Sequence, residues 1–162
     1  MMLTRKLFLG GILLAGCLST ISAHAHEQHS RAHMSFSAGE PGDPGKPSRT
    51  IEVVMGRQVP KMYYRPDRIE VRQGEQIRFV LKNADNLKDH EFVLATEKEN
   101  LEHAEAMKAD PNMQHSEPNA KRLRSKETKE LLWRFSQPGE FEFSCNIPGH
   151  REAGMVGKVI VK

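Results

Sequence analysis

The chain has 162 residues, 38% of them hydrophobic, with 24 Lys and Arg against 21 Asp and Glu and a formal net charge of +3. That length supports one hydrophobic core of ordinary size and excludes two full ones. Near-balanced charge gives no footprint for nucleic-acid binding, and a content of two cysteines excludes a disulfide-built scaffold.

Residues 1–25 have the form of an export signal. Arg5 and Lys6 precede an apolar run over 7–18, and Ala23-His24-Ala25 supplies small residues for cleavage. The run is too short to span a bilayer, so no membrane span is expected. Leu14-Ala15-Gly16-Cys17 offers a second route, acylation of Cys17 as in a lipoprotein, but the polar segment leading to Ala25 favours simple cleavage there. The mature chain then begins at His26, its formal charge falls from +3 to +1, and Cys145 is its one cysteine. A single thiol outside the cytoplasm has no internal disulfide partner, and a metal ion is a suitable occupant.

Residues 26–49 are rich in Gly, Pro, Ser and His and carry too little apolar surface to offset the entropy of ordering, which predicts a flexible tail. Its His26, His29 and His33, with Met34, are either solvated or a weak metal chelate to which His26 adds a free α-amine. Beyond the tail, short alternating stretches bounded by turn residues predict strands over 50–56, 68–72, 76–83, 91–95, 131–136, 140–145 and 155–161. Turns at 72–75 and 136–139 suit these strands, with Gly74 and Gly139 supplying positive φ. The pattern is that of an all-β sandwich, one domain over 50–162.

Residues 96–128 break the rhythm. They are charged, with Leu101, Ala104 and Met107 as the one hint of a helical face, and predict a long, partly helical insertion between strands. The run 121–126 reads as solvated loop. His103 and Met107 stand four apart and would share a helix face; with Met113 and His115 they form a candidate secondary metal site.

The most informative segment is Cys145-Asn146-Ile147-Pro148-Gly149-His150-Arg151-Glu152-Ala153-Gly154-Met155. A thiolate, an imidazole and a thioether spaced Cys-x4-His-x4-Met, with another histidine upstream, are the donors of a mononuclear blue-copper site: sulfur holds Cu(I), and imidazole binds both oxidation states. Strand parity places the donors together, since side chains two apart share a face. Phe141, Phe143 and Cys145 share one face, His90, Phe92 and Leu94 another, and Met155, Gly157, Val159 and Val161 a third. His90 alone would read as a hydrogen-bonded histidine at the core edge, Cys145 as a small hydrophobe and Met155 as a gap-filler. Zinc held by His90, Cys145 and His150 leaves Met155 unexplained. A Cys145–His150 nucleophile–base pair lacks an orienting third group and oxyanion donors. Copper accounts for all four residues.

These residues, with Tyr64-Arg65-Pro66-Asp67-Arg68-Ile69-Glu70-Val71, residues 77–83, Asp89-His90-Glu91-Phe92 and the segment from Pro138 to Gly157, resemble the cupredoxins, within them the rusticyanin-like and azurin-like group. The resemblance covers about 51–162, interrupted by the insertion. It implies a Greek-key β-sandwich in which His90, Cys145 and His150 are equatorial copper ligands and Met155 the weak axial one. The His- and Met-bearing additions look more like periplasmic copper-tolerance members than plain electron carriers. The function so implied is periplasmic copper binding in tolerance or homeostasis at a redox-active site, without enzymatic activity. The alternative is electron transfer to a cytochrome or oxidase. The partners implied are copper ions and a periplasmic redox protein or copper exporter. The extra His and Met residues, His26, His29, His33, His103, Met107, Met113 and His115, would hold additional copper.

Overall fold

A computed structural model describes residues 36–113 and 116–162. The strands are β1 (Glu40–Pro41), β2 (Arg49–Gln58), β3 (Lys61–Arg65), β4 (Arg68–Val71), β5 (Gln76–Asn83), β6 (His90–Ala95), β7 (Ala120–Leu123), β8 (Thr128–Arg134), β9 (Gly139–Ser144) and β10 (Val156–Val161), with helix α1 (Glu97–Ala109) between β6 and β7. They form two five-stranded sheets in the orders β1-β8-β5-β2-β3 and β4-β10-β9-β6-β7. β2 runs parallel to β5 and β4 parallel to β10, so the chain crosses between the sheets instead of meandering. This is the expected β-sandwich. No helix among the described residues is long and apolar enough to cross a membrane.

Alternation along the strands explains the core. Phe141, Phe143 and Cys145 on one side and Phe92 and Leu94 on the other are buried, together with Val159, Val161, Ile77, Phe79 and Leu81. Rings dominate the centre: Phe92 stacks on Phe143 at 5.0 Å, and Tyr64 meets Phe143 edge-on at the same centroid distance. The Tyr64 hydroxyl donates to the Glu91 carbonyl. The phenol is thus satisfied inside an apolar core, and the backbone next to His90 is pinned.

Three segments depart from expectation. From Phe36 the supposed tail is packed: Phe36 lies edge-on to Trp133 at 5.4 Å, and the Trp133 indole donates to the Ala38 carbonyl at 3.1 Å. Ala38 is buried there, and β1 pairs with β8. One aromatic contact and one ladder supply what the composition lacked. Residues 26–35 of that tail lie outside the described residues, as does the leader.

The insertion is also shorter than expected. α1 is a single 13-residue helix started by Thr96, whose side chain accepts from the Glu99 amide while Glu99 reaches back to the Thr96 amide. Of the charged run 121–126, the first half is no solvated loop, because β7 pairs with β6 and buries Leu123, while 124–126 lie in the turn to β8. β3, absent from the expected strands, pairs with β2.

Gly157 shows how closely the layers approach. On the core side of β10, a Cβ there would lie 2.3 Å from the Phe143 ring and 2.9 Å from the Asp67 carbonyl. We expect Gly157→Ala to destabilise the fold by about 1–3 kcal/mol through overpacking. Urea unfolding would show this as a lower midpoint with an unchanged slope, and an unaltered midpoint would contradict it.

Candidate metal centre

β6 opens on His90, β9 delivers Cys145 just past its end, and the loop back to β10 carries His150 and Met155. The loop is closed by its own backbone: the Cys145 amide donates to the Met155 carbonyl and the Met155 amide to the His150 carbonyl, each at 3.1 Å. Gly149 and Gly154, at φ +85° and +96°, take the left-handed turns that let it fold back. Cys145 is therefore held where a strand ends, between two imidazoles supplied from different directions.

The resulting cluster is tight. One ligand atom each from His90, Cys145 and His150 lies within 4.8 Å of the others, and all three residues are buried. The His150 Nδ1 stands 3.2 Å from the Cys145 Sγ and 3.3 Å from the His90 Nδ1. The Glu91 amide donates to the same sulfur at 3.2 Å. Met155 has no exposed surface and belongs, with Cys145, to the hydrophobic core.

Behind these donors stands a polar frame that the sequence did not reveal. The His90 Nε2 is buried 3.5 Å from the Asp85 carboxylate, close enough for electrostatic attraction but without a hydrogen bond. Asp85 itself accepts from the Leu87 and Lys88 amides and pairs with the Arg57 Nε at 3.1 Å. Burial opposes its charge, but those amides and Arg57 outweigh burial and hold its carboxyl below the usual range. A carboxylate on the side of Nε2 leaves Nδ1, which faces the His150 Nδ1 at 3.3 Å, as the donor atom of the ring.

On the other flank, the Asn146 side-chain Nδ2 donates to Asn100 Oδ1 of α1 at 3.1 Å, and the Ser144 hydroxyl to Asn146 Oδ1 at 2.7 Å. Arg151 grips Glu142 with both terminal guanidinium nitrogens, fixing the loop to β9. A polar residue directly after Cys145 and an asparagine within the charged stretch 97–102 were the available signals; neither names its partner.

Buried nitrogen and sulfur donors of this softness fit copper. Residues 51–162 match the family described as copper binding proteins, plastocyanin/azurin family. The chain belongs to that family. This cupredoxin is 44% identical to the copper-resistant cuproprotein CopI of Rubrivivax gelatinosus over 89% of each chain. It is 34% identical to the copper-resistant cuproprotein CopI of Pseudomonas aeruginosa over 99% of each. Among solved structures, the reduced auracyanin of Roseiflexus castenholzii superposes with a TM-score of 0.59 at 20% identity, over 72% of this chain and 99% of that one, a likeness of fold. Copper is the cofactor of this cupredoxin.

Of the other sequence candidates, His103 and Met113 line one cleft. Met107 does not line it: the residue has no exposed surface and is one of the two buried residues of α1. His26, His29, His33 and His115 lie outside the described residues.

Burial sets the protonation of the metal-free cluster. It pushes the Cys145 thiol up to about 12 and, with the His90 ring beside it, His150 down to about 4; burial lowers His90 as well. At neutral pH the imidazoles are therefore neutral and the thiol protonated, so a cation entering the cluster displaces one proton, from sulfur. Loading reduced apo-protein with Cu(I) at pH 7 is expected to release about one proton per ion, its affinity rising about tenfold per pH unit. Calorimetry in buffers of different ionisation enthalpy counts that proton, and a count of zero would place the ion away from Cys145.

Proposed function

We propose that this cupredoxin binds copper in the periplasm as part of copper tolerance, with His90, Cys145, His150 and Met155 as ligands of one redox-active type 1 site. The observation that carries the proposal is the convergence of two neutral imidazoles on a single buried thiol. Support for the role comes from relatives whose names describe copper-resistant cuproproteins. Support for the compartment comes from Arg5, Lys6, the apolar run and Ala23-His24-Ala25.

Copper held there supplies a one-electron couple between Cu(I) and Cu(II). Cys145 and Met155 provide soft donors that retain Cu(I), and His90 and His150 serve both states. The Glu91 amide stabilises negative charge on the sulfur. Asn146, Arg151 and Asp85 hold the donors in place, so little rearrangement accompanies a change of charge. The role is binding and delivery of copper, not catalysis.

Electron transfer to a soluble partner is the second reading, favoured by Leu87, 76% exposed in the loop that leads to His90. Brief redox encounters need only a small contact, and an exposed apolar side chain beside the site can supply part of one.

A strain lacking this gene separates the two. Wild-type protein is expected to restore growth on copper, and Cys145→Ser to fail although secreted at equal level. Unchanged copper sensitivity of the deletion strain would instead leave the electron carrier.

A further inference from the structure

The face of β6 turned away from the type 1 cluster carries Glu91, Val93 and Ala95, by simple alternation from His90, Phe92 and Leu94. α1 and the connection that follows it pass over this face and leave a cleft of about 250 Å³ lined by Val93, Ala95, Glu99, His103, Met113 and Glu117. Glu99 and His103 are four apart and therefore neighbours on one face of α1. Met113 and Glu117 approach from the returning chain. The cleft thus gathers an imidazole, a thioether and two carboxylates from segments that the fold brings together over a single strand.

These side chains are placed, not merely nearby. Glu99 Oε2 receives the Thr96 amide at 2.8 Å, the Thr96 hydroxyl at 2.7 Å and the Ser37 hydroxyl. The His103 Nε2 is sealed from solvent. Arg122 of β7 donates to the Pro111 carbonyl at 3.2 Å and holds the Met113-bearing connection down beside Asp89. Met113 is half-buried at the cleft wall, beside Glu99, His103 and Glu117 and beside the apolar Phe36, Val93 and Ala95.

We infer that this cleft is a second metal site, taking Cu(I) through His103 and Met113, with Glu99 and Glu117 offsetting the charge of the ion. Thioether and imidazole together select soft monovalent copper over zinc, magnesium or calcium. The choice of copper as the ion rests on the proposed tolerance role; the placement of the donors does not. Val93 is three residues along β6 from His90, roughly 10 Å at about 3.3 Å per residue. The second ion is therefore separate from the type 1 ion and leaves its ligands untouched.

The test uses the mature full chain with His26, His29 and His33 replaced by alanine, so that the N-terminal imidazoles add no background. Anaerobic Cu(I) titration against a chromophoric chelator counts tight equivalents. The visible band after reoxidation reports the type 1 site independently. Two Cu(I) per chain are expected, with the second weakened at least tenfold by His103→Ala and by Met113→Leu while the band is unchanged. Met113→Leu preserves bulk on a surface connection and guards against a folding artefact. In the reduced protein, the NMR signals of the His103 ring and the Met113 methyl group should shift as the second equivalent is added. A second equivalent that is absent from the parent, or retained with equal affinity in both variants, would overturn the site. A missing visible band would instead mark failure of the type 1 assignment.

Discussion

Placing a thiol sulfur where water cannot reach it is the constraint from which the rest of this molecule follows. Cys145 has no exposed surface, and burial raises its thiol to about 12. Relative to a solvated thiol, this opposes the thiolate by on the order of 4 kcal/mol. A coordinated cation reverses that balance, because a metal-bound thiol is deprotonated outright. The imidazoles beside it carry the complementary bias: kept neutral by burial, they present lone pairs and add no positive charge to repel an incoming ion. Desolvation thus prepares all three groups for a soft cation and for little else.

The surrounding fold reads as a means of holding that arrangement still. The aromatic cluster of Tyr64, Phe79, Phe92 and Phe143 ties the two sheets together beneath the site, and the Tyr64 hydroxyl reaches the backbone beside His90. Polar anchors then fix each donor from outside: Asp85 with Arg57 behind His90, Asn100 with Asn146 after Cys145, and Glu142 with Arg151 after His150. Each anchor joins a donor-bearing segment to a different element. The helix therefore serves the site twice, bracing the ligand loop through Asn100 and walling the outer cleft through Glu99 and His103.

Much of this was legible in the sequence because β-strand parity has a period of two and leaves no ambiguity once a strand is located. Phe141-Glu142-Phe143-Ser144-Cys145 and Met155 to Val161 alternate cleanly, so the faces they turn to the core could be read directly; that Glu142 and Ser144 on the opposite face are buried too could not. β3 and β7 were not legible for a physical reason. Lys61–Arg65 lies between Pro60 and Pro66, and Ala120–Leu123 sits in a run of positive charge, so neither carries alternation that outweighs its flanks. Phe36 and Ala38 were lost in a Gly- and Pro-rich composition, although a single ring against Trp133 was enough to order them. The anchors Asp85, Asn100 and Asn146 were hidden for another reason: a polar residue acquires its role from a partner distant in sequence, and no local pattern records the partner. Met107 misled because a spacing of four implies a common helix face but does not say which of the two residues the rest of the chain covers: Met107 is fully buried and His103 only partly so.

The central claim is that one copper ion sits on the Cys145 sulfur. Copper titration of the chain from His26, followed by visible absorption with metal stoichiometry on the same samples, tests it most directly. An intense sulfur-to-copper band that saturates at one copper per chain is the predicted result. Copper bound with no such band would contradict the account, since the ion would then lie on imidazoles alone and the buried thiol would be a core residue.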